Sequence, residues 1–335
     1  MSGGVDSAVS AYLLQQQGHE VVGIYMKNWS KNLPGMKCPW AEDLADAKRV
    51  AVKLGIDFRV FDFESEYKQK VVDYMLAEYQ KGNTPNPDIM CNQEIKFKLF
   101  AETAFEQGAE AIATGHYARC EGRKLLKARD ENKDQTYFLY RITEDAIERT
   151  IFPVGNMLKP EVKALAEQIG LAVAHKPESM GVCFVGEANM RDFLGEFVET
   201  KPGEIRELET DKVVGTHEGA IYYTLGQRHG LNLKDGLPYY VVRKDIEANI
   251  VYVSRNLNSL SLWKKEIQLK DVILRGNDNG HNIEARIRHR APLVAADYDA
   301  ETGKLTFVEE QKSLTPGQSI VFYRGDVCIG GGIII

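Results

Sequence analysis

The sequence predicts an α/β protein in which a parallel-sheet domain precedes a small middle module and a C-terminal β-barrel. In the first half, strand-like and helix-like segments alternate, which is typical of a parallel sheet with helices on both faces. Beyond about residue 200, short β-branched runs punctuated by Gly, Asn, Asp and Pro replace them. The length of 335 residues also exceeds the roughly 100–200 residues of one domain.

The predicted elements of the first half follow one another in a regular order. The strand-like segments are HEVVGIYM, DFRVFDF and EAIATG. The helix-like segments are EDLADAKRVAVKLG, EIKFKLFAETAFEQG and KPEVKALAEQIG. Gly55 and Gly108 stand where the first two of these helices should end, and Pro160 lies near the start of the third.

The predicted strands of the second half are short and closely spaced. They are AIYYTLG, YYVVRKD, NIVYVS, IEARIRHR, KLTFVEE and the hairpin-like QSIVFYRGDVCIGGGIII. This pattern suits a barrel or a sandwich, and we predict the barrel. The predicted domains are residues 1–190, 191–256 and 257–335.

The composition is that of a globular protein, with 44% hydrophobic and 27% charged residues. No apolar run approaches the roughly 20 residues of a membrane span, and no signal peptide is recognisable, so we expect a cytoplasmic protein without membrane contact. A net charge of −6 argues against a non-specific nucleic-acid coat but leaves room for one local basic face.

The five cysteines are scattered along the chain: Cys38, Cys91, Cys120, Cys183 and Cys328. None forms a C-x-x-C pair, which argues against a disulfide framework and against a structural zinc site. We therefore predict no structural metal site. The interpretation that some of these cysteines are reactive thiols is left open.

The opening segment SGGVDS predicts a phosphate-binding turn. Its residues are Ser2, Gly3, Gly4, Val5, Asp6 and Ser7. The glycines allow a tight turn, and the helix that follows offers free N–H groups and a positive dipole end. Asp6 would orient the turn or hold Mg²⁺, and an ordinary helix cap is the alternative. Only Met1 precedes the turn, whereas a buried strand should, so we expect a strand ahead of Ser2 in the natural chain.

The motif S-G-G-x-D-S resembles the pyrophosphate-binding loop (PP-loop) of the N-type ATP pyrophosphatases. That resemblance implies an adenine-nucleotide α-hydrolase-like fold for the first domain. It also implies cleavage of ATP to AMP and pyrophosphate, with Mg²⁺ screening the phosphates.

Eight further segments narrow the resemblance. They are TPNPDIMCNQEIKFK, ATGHYAR, NKDQTYFLY, ESMGVCFVGE, YTLGQRHGL, YYVV, TPGQSIVFY and CIGGGII. Together they resemble the bacterial tRNA-specific 2-thiouridylases. The resemblance implies an enzyme that adenylates the C2 oxygen of the wobble uridine in tRNA and replaces that oxygen with sulfur. The implied partners are this tRNA and a sulfur-donating protein, either a cysteine desulfurase or a relay protein.

Cys91 and Cys183 are the candidate sulfur-handling residues. Cys91 is predicted to lie in a loop ahead of a helix beginning near Gln93, where a helix N-terminus stabilises a thiolate. Asp88 precedes it and could carry a proton. Gly181 and Gly186 flank Cys183, so this thiol is predicted to lie in a mobile loop. A buried structural cysteine is the alternative at each position.

The resemblance assigns these thiols their roles. Cys183 takes the persulfide and Cys91 forms a disulfide with it as sulfur leaves, whether the persulfide attacks C2 directly or releases sulfide. Met180 stands where the family usually has Thr. A second interpretation, that Asp88, Cys91 and Cys183 hold a labile iron–sulfur cluster, is left open.

Other candidate residues follow predicted strand ends. Gly115 and His116 end the strand EAIATG, so Gly115 would approach the nucleotide and His116 would face the RNA. Met26 would contact adenine, with core packing as the alternative. Arg286, Arg288 and Arg290 alternate along a predicted strand, which would place three guanidinium groups on one face for phosphates.

The resemblance implies tRNA contacts from Asn86, Pro87, Asp88, His116, Lys133, Asp134, Gln135, Arg288, His289 and Gln318. The family tends to have an aromatic residue where His289 stands. Two other functions compete with thiolation. One is an ATP pyrophosphatase with a non-RNA acceptor, and the other is a non-catalytic tRNA-binding protein.

Overall fold

The computed structural model describes residues 1–32, 38–177, 190–233, 238–256 and 262–335. Within them, the α-helices are α1 Val5–Gln16, α2 Trp40–Leu54, α3 Glu64–Tyr67, α4 Asp73–Gln80, α5 Pro87–Met90, α6 Phe100–Glu106, α7 Thr136–Leu139, α8 Glu144–Glu148, α9 Lys159–Gln168 and α10 Met190–Gly195. Two π-helices cover Lys68–Val72 and Cys91–Leu99, and a 3-10 helix covers Ala220–Tyr222.

The strands of the described residues number sixteen. They are β1 Val22–Lys27, β2 Asp57–Asp62, β3 Ile112–Ala113, β4 Arg119–Glu121, β5 Lys124–Leu126, β6 Thr150–Ile151, β7 Gly203–Glu207, β8 Val213–His217, β9 Tyr240–Asp245, β10 Ile250–Ser254, β11 Trp263–Leu274, β12 Ile283–Arg286, β13 Val294–Asp299, β14 Lys304–Lys312, β15 Ser319–Arg324 and β16 Val327–Ile334.

The chain forms two compact units, and neither is continuous in sequence. Unit 1 comprises Met1–Val72, Pro87–Asn189 and Tyr323–Ile329. Unit 2 comprises Asp73–Asn86, Met190–Phe322 and Gly330–Ile335. The sequence-based domain limits at 190 and 256 stay predictions, since contacts divide the chain differently from a simple cut along the sequence.

Unit 1 is the predicted α/β part. Strand β1 pairs in parallel with β2, and β3 pairs in parallel with β6. Helix α1 contacts α9, and its buried side chains join a core that includes Val9, Val162 and Ala166. Helix α2 ends at Gly55, whose φ of +66° lets the chain leave in the left-handed conformation. This arrangement brings the start of α1 next to the start of α9.

Unit 2 contains a four-stranded sheet and a barrel. The sheet has the order β8-β7-β10-β9 and buries Ile205, Val241 and Val251. The barrel strands have the order β11-β14-β13-β12-β15-β16, and β16 also pairs with β11. This last pairing closes the barrel, so the predicted α/β part, middle module and C-terminal barrel are confirmed.

Two predicted strands differ from the structure. The segment AIYYTLG begins with a 3-10 helix rather than a strand. In IEARIRHR only Ile283–Arg286 is a strand, and Arg290 has a left-handed φ of +63°. A residue in that conformation cannot continue an extended strand, because its backbone turns the chain aside.

The sequence predicts no membrane-spanning segment, and the helices of the structure can be compared with that prediction. Among the residues the structure describes, no helix combines the length and the apolar character needed to cross a bilayer.

Candidate active site

The SGGVDS segment forms a tight turn that leads into α1. Gly3 has a φ of +78°, and a Cβ atom there would lie 2.4 Å from the carbonyl oxygen of Asp43, so this position requires glycine. Gly4 is the N-cap of α1 and has no side chain to bond the N–H groups of the first turn. The hydroxyl oxygens of Ser2 and Ser7 lie 3.2 Å apart. Free N–H groups, the helix dipole and two hydroxyls together suit a phosphate.

Asp6 is held by two residues that the sequence analysis missed. The Lys159 ammonium donates to both carboxylate oxygens of Asp6, at 2.6 and 2.9 Å, and the Tyr117 hydroxyl donates to one of them at 3.0 Å. Lys159 and Tyr117 are both buried. Asp6 therefore orients the turn, one of its two predicted roles, and its oxygens are already engaged.

A signal for Lys159 is present in the sequence. Lys159 begins α9 and directly precedes Pro160, which favours the first turn of a helix. A lysine there opposes the positive end of the helix dipole. A lysine in such a position is expected to pair with an acidic group outside its own helix. In the structure that group is the Asp6 carboxylate.

Gly115 lies directly against the turn. A Cβ atom on Gly115 would lie 2.7 Å from the backbone nitrogen of Ser7, so glycine permits this close approach. Val5 is 4% exposed, and its side chain joins the core of unit 1, which leaves only its backbone for a ligand. Met26 is half-buried near the carboxyl end of β1, and its predicted contact with adenine stays a prediction.

His116 follows Gly115 and is half-buried. Its Nδ1 lies 2.9 Å from the Thr114 hydroxyl, and its ring lies 5.7 Å from that of Phe97. Burial, and then the positive charge of Lys96, hold the pKa of His116 well below its usual value. The imidazole is therefore neutral at pH 7 and suits stacking or a neutral hydrogen bond better than an ionic contact with phosphate.

Cys91 lies inside a helical segment rather than in a loop. Helix α5 begins at Pro87, and the π-helix Cys91–Leu99 continues it. The prediction that a helix begins near Gln93 with Cys91 at its cap is wrong, because Pro87 lacks an N–H and suits the first helical turn. Among the described cysteines, Cys91 forms no disulfide, and it is only 1% exposed. Asp88 lies half-buried one turn before it.

Cys183 lies outside the described residues, as do its flanking glycines. Its distance from Cys91 is therefore not given by the structure. In the part of the chain that is described, no group of three or more His, Cys, Asp or Glu side chains is arranged to hold a metal ion. The iron–sulfur hypothesis needs Cys183 and stays a hypothesis.

Asn86 and Gln318 were predicted separately as tRNA contacts, and they meet within unit 2. The Asn86 side-chain amide donates to the Gln318 side-chain oxygen at 3.2 Å. Gln318 in turn donates to the carbonyl oxygen of Thr84 at 2.7 Å, and Asn86 accepts from the Ser319 backbone N–H at 2.9 Å. Both side chains are half-buried, so the pair fixes the 84–86 loop to the barrel strand β15.

The segment 133–135 is tied into unit 1 more tightly than a solvated loop would be. Asp134 is 2% exposed and accepts from the Ala128 backbone N–H and from the Thr136 hydroxyl. Gln135 accepts from the Tyr117 backbone N–H at 2.9 Å. The predicted RNA contact through the Asp134 carboxylate does not fit this burial, while Lys133 is half-buried and its predicted RNA contact stays a prediction.

The three predicted strand arginines do not share one strand face. Arg286 is the last residue of β12, and Arg288 follows it in a bend. The Arg288 guanidinium donates to the carbonyl oxygen of Ser313 at 2.6 Å. The prediction of a three-guanidinium stripe on one strand is therefore wrong, because the strand ends before the second arginine. His289 is half-buried in the same turn.

Family models match almost the whole chain in three consecutive blocks. Residues 1–187 match a tRNA methyl transferase HUP domain, and residues 191–255 match a tRNA methyl transferase PRC-barrel domain. Residues 264–334 match an aminomethyltransferase beta-barrel domain. Their order follows that of the α/β part, the four-stranded sheet and the barrel.

Curated relatives match the chain over its full length. A tRNA-specific 2-thiouridylase MnmA of Tolumonas auensis is 47% identical over 350 residues, covering 100% of this chain and 95% of the relative. Proteins with the same name from Exiguobacterium sibiricum and Pediococcus pentosaceus are each 44% identical, covering 100% of this chain and 92% and 93% of the relatives. This chain therefore belongs to the family of bacterial tRNA-specific 2-thiouridylases.

Proposed function

We propose that this protein is a tRNA-uridine 2-sulfurtransferase that uses ATP to replace the C2 oxygen of a wobble uridine with sulfur. The observation that supports this proposal most directly is the turn at the start of α1. There, Gly3 and Gly115 each allow a close approach of two backbone segments that a Cβ atom would prevent, and this keeps the turn tight. The relatives carry the name of this activity, and the acceptor in tRNA is proposed from that likeness.

The ATP phosphates are proposed to bind the N–H groups of the first turn of α1 and the hydroxyls of Ser2 and Ser7. Asp6 holds the turn in place through Lys159 and Tyr117. Mg²⁺ would neutralise phosphate charge and favour the departure of pyrophosphate. Since Lys159 occupies the oxygens of Asp6, we assign no protein ligand to Mg²⁺.

The sulfur step is proposed to use two thiols. After adenylation, AMP is the leaving group at C2, and a Cys183 persulfide attacks that carbon through its outer sulfur. The Cys91 thiolate then attacks the inner sulfur of Cys183, so that a Cys91–Cys183 disulfide forms and 2-thiouridine leaves. A thiol reductant must reduce this disulfide, and a sulfur-donating protein must restore the persulfide. Because Cys91 is 1% exposed, this step requires the helical segment around it to open.

The tRNA contacts are proposed to come from Asn86, Pro87, Asp88, His116, Lys133, Gln135, Arg288, His289 and Gln318. Asn86 and Gln318 contribute as one hydrogen-bonded pair. The domain limits at residues 190 and 256 are also part of the proposal. The proposed sulfur donor is a protein, either a cysteine desulfurase or a relay protein.

A thiolation assay tests the proposal directly. The protein is mixed with unmodified tRNA, ATP, a cysteine desulfurase and cysteine, and thiolated tRNA is detected by its retardation on a mercury-containing gel. We expect a retarded band that requires ATP. Cys183→Ser and Cys91→Ser should lower the rate by roughly four orders of magnitude or more. Cys120→Ser is the matched control and should keep the wild-type rate.

The same assay separates the competing functions. Pyrophosphate release with a non-RNA acceptor and no retarded band would favour another ATP pyrophosphatase. Binding of tRNA without pyrophosphate release would favour a non-catalytic protein. A retarded band from Cys183→Ser would contradict the persulfide assignment.

A further inference from the structure

Unit 2 contains a cavity of about 520 Å³, separate from the SGGVDS turn of unit 1. Four cationic side chains line it: Lys81, Arg243, Lys244 and Lys264. Among the described residues, no carboxylate lines this cavity. A chain with a net charge of −6 has thus concentrated positive charge at one enclosed place.

Three of these four cations either contact another group of unit 2 or face solvent, so none of the three requires a ligand. Lys81 forms an ion pair with Glu78 at 2.8 Å. Arg243 lies over the ring of Tyr252, with its guanidinium carbon 3.9 Å from the ring centroid. Lys264 is exposed to solvent.

Lys244 is different, because its ammonium nitrogen is buried and has no hydrogen-bond partner in the part of the chain that the structure describes. Burial lowers the pKa of Lys244 to about 8, and no carboxylate of the described residues counteracts this effect. An unpaired buried charge is costly to a folded protein. No described residue pairs with this lysine, so its ammonium is open to a ligand in the cavity.

The remaining wall of the cavity is mostly apolar. Leu225, Ile246, Leu262, Leu314 and Pro316 contribute to it. Pockets of roughly 300–1,000 Å³ with apolar walls and a few polar groups are typical binding sites for small ligands. Apolar walls suit the flat face of a base, and a cluster of cations suits a group that carries more than one negative charge.

We propose that this cavity binds a phosphorylated nucleotide unit, with the Lys244 ammonium paired to its phosphate. A carboxylate ligand without a base would leave the apolar wall uncovered. The nucleotide is either free, with a phosphomonoester, or part of an RNA chain, with a phosphodiester on each side of the base, since both place phosphate charge beside a base. The proposal does not depend on thiolation.

Binding measurements on the full-length protein, without ATP or a sulfur donor, test the proposal. The probes are UMP, uridine and unmodified tRNA. The variants are Lys244→Met and Lys244→Arg. Lys265→Met is the matched control, because Lys265 is an exposed lysine of strand β11 that does not line the cavity. Lys244→Met should weaken the binding of UMP, of tRNA or of both at least tenfold, whereas Lys265→Met should change it less than twofold. Lys244→Arg should retain most of the affinity, and uridine should bind no better to wild type than to Lys244→Met.

The two sources of the phosphate give different results. If Lys244→Met weakens the binding of tRNA alone, and the slope of log K against log salt concentration falls by about 0.9 per lost contact, the cavity binds an RNA phosphate. A loss for UMP assigns it to a free nucleotide. Equal affinities of wild type and Lys244→Met for both probes would overturn the proposal.

Chemical labelling of the wild-type protein is an independent test that requires no variant to fold. Trace acetylation followed by mass spectrometry reports the reactivity of each lysine. UMP or tRNA should lower the reactivity of Lys244 relative to Lys265 at least fivefold, and uridine should not. Labelling of Lys244 that neither UMP nor tRNA changes would contradict the proposed contact.

Discussion

At the scale of single residues, Gly3 and Gly4 are adjacent but have different surroundings. Gly3 has a φ of +78° and no room for a Cβ atom. Gly4 has a φ of −101°, and the nearest atom to a Cβ there is the Ser2 hydroxyl oxygen at 3.4 Å. Gly3→Ala should therefore lower the free energy of unfolding by about 1–3 kcal/mol, and it should abolish ATP-dependent pyrophosphate release.

The matched variant Gly4→Ala should lower the free energy of unfolding less, by about 0.5–1 kcal/mol, because only the N-cap preference for glycine is lost. Urea unfolding followed by circular dichroism measures both variants. Equal destabilisation by the two substitutions would contradict the close contact of Gly3 with Asp43.

His116 gives the stability a dependence on pH. Because burial and Lys96 lower its pKa in the folded state, the unfolded chain binds the proton first as the pH falls. The stabilisation from neutral His116 is complete above the unfolded pKa of about 6.5 and is lost as the pH falls towards the lower folded pKa. The free energy of unfolding should fall by about 1.4 kcal/mol per pH unit from this residue alone.

His116→Gln removes this titration and should flatten the fall between pH 6.5 and 5. The control is His175→Gln, since the His175 side chain is 85% exposed. Urea unfolding at several pH values compares the three proteins. If His116→Gln keeps the full wild-type slope, the assignment to His116 is wrong.

At the scale of elements, α4 is anchored in unit 2 by Glu78, which is 3% exposed. Its carboxylate accepts from Lys81 and from Asn83, each at 2.8 Å. Burial alone would raise the pKa of Glu78, but these hydrogen bonds and the charge of Lys270 outweigh it and hold that pKa below its usual value. The stabilisation is therefore present above the unfolded pKa and is lost as the pH falls through the folded pKa.

Glu78→Gln deprives both donors of a charged acceptor, and the amide NH2 would face one of them, which then has no acceptor. It should lower the free energy of unfolding at pH 7 by about 1–3 kcal/mol, and the difference from wild type should shrink in acid. The exposed Glu247→Gln is the control for loss of one negative charge and should stay near wild type. An unchanged midpoint of urea unfolding for Glu78→Gln would refute the anchoring role.

Elements were predictable from the sequence where a local pattern determines them. Gly55 and Pro160 mark a helix end and a helix start because their backbone preferences act within a few residues. The segment 283–290 shows the limit, since alternating arginines continue a strand pattern after the backbone has turned at the end of β12. The pattern around Cys91 predicts a helix start near Gln93, which is too late. The true start is at Pro87, because proline suits the first helical turn.

At the scale of the whole molecule, each unit contains side-chain contacts between residues that are far apart in sequence. Lys159 bonds Asp6 across 153 positions, and Asn86 bonds Gln318 across 232. No local pattern specifies such pairs, because they depend on which elements the fold brings together. The motifs identified the turn and the family, whereas the Lys159 pair and the discontinuous units required the structure.

The discontinuity of unit 1 also predicts how a truncated chain behaves. Val327 and Cys328 pair with Leu126 and Leu125 of β5, so a fragment that ends at residue 190 keeps the pairing of β5 with β4 but leaves its other edge open. That fragment should be less soluble and unfold at lower urea concentration than the full-length protein. A fragment with wild-type stability would show that this pairing contributes little.

During synthesis on the ribosome, the last pieces of unit 1 arrive more than a hundred residues after the rest of it. Residues 323–329 follow Asn189, the end of the preceding segment of unit 1, by more than 130 positions. Until then, Leu125, which is fully buried in the finished protein, has an open strand edge beside it, of the kind that attracts neighbouring nascent chains or a chaperone. A premature stop codon late in the gene would therefore damage the first unit to be translated as well as the second.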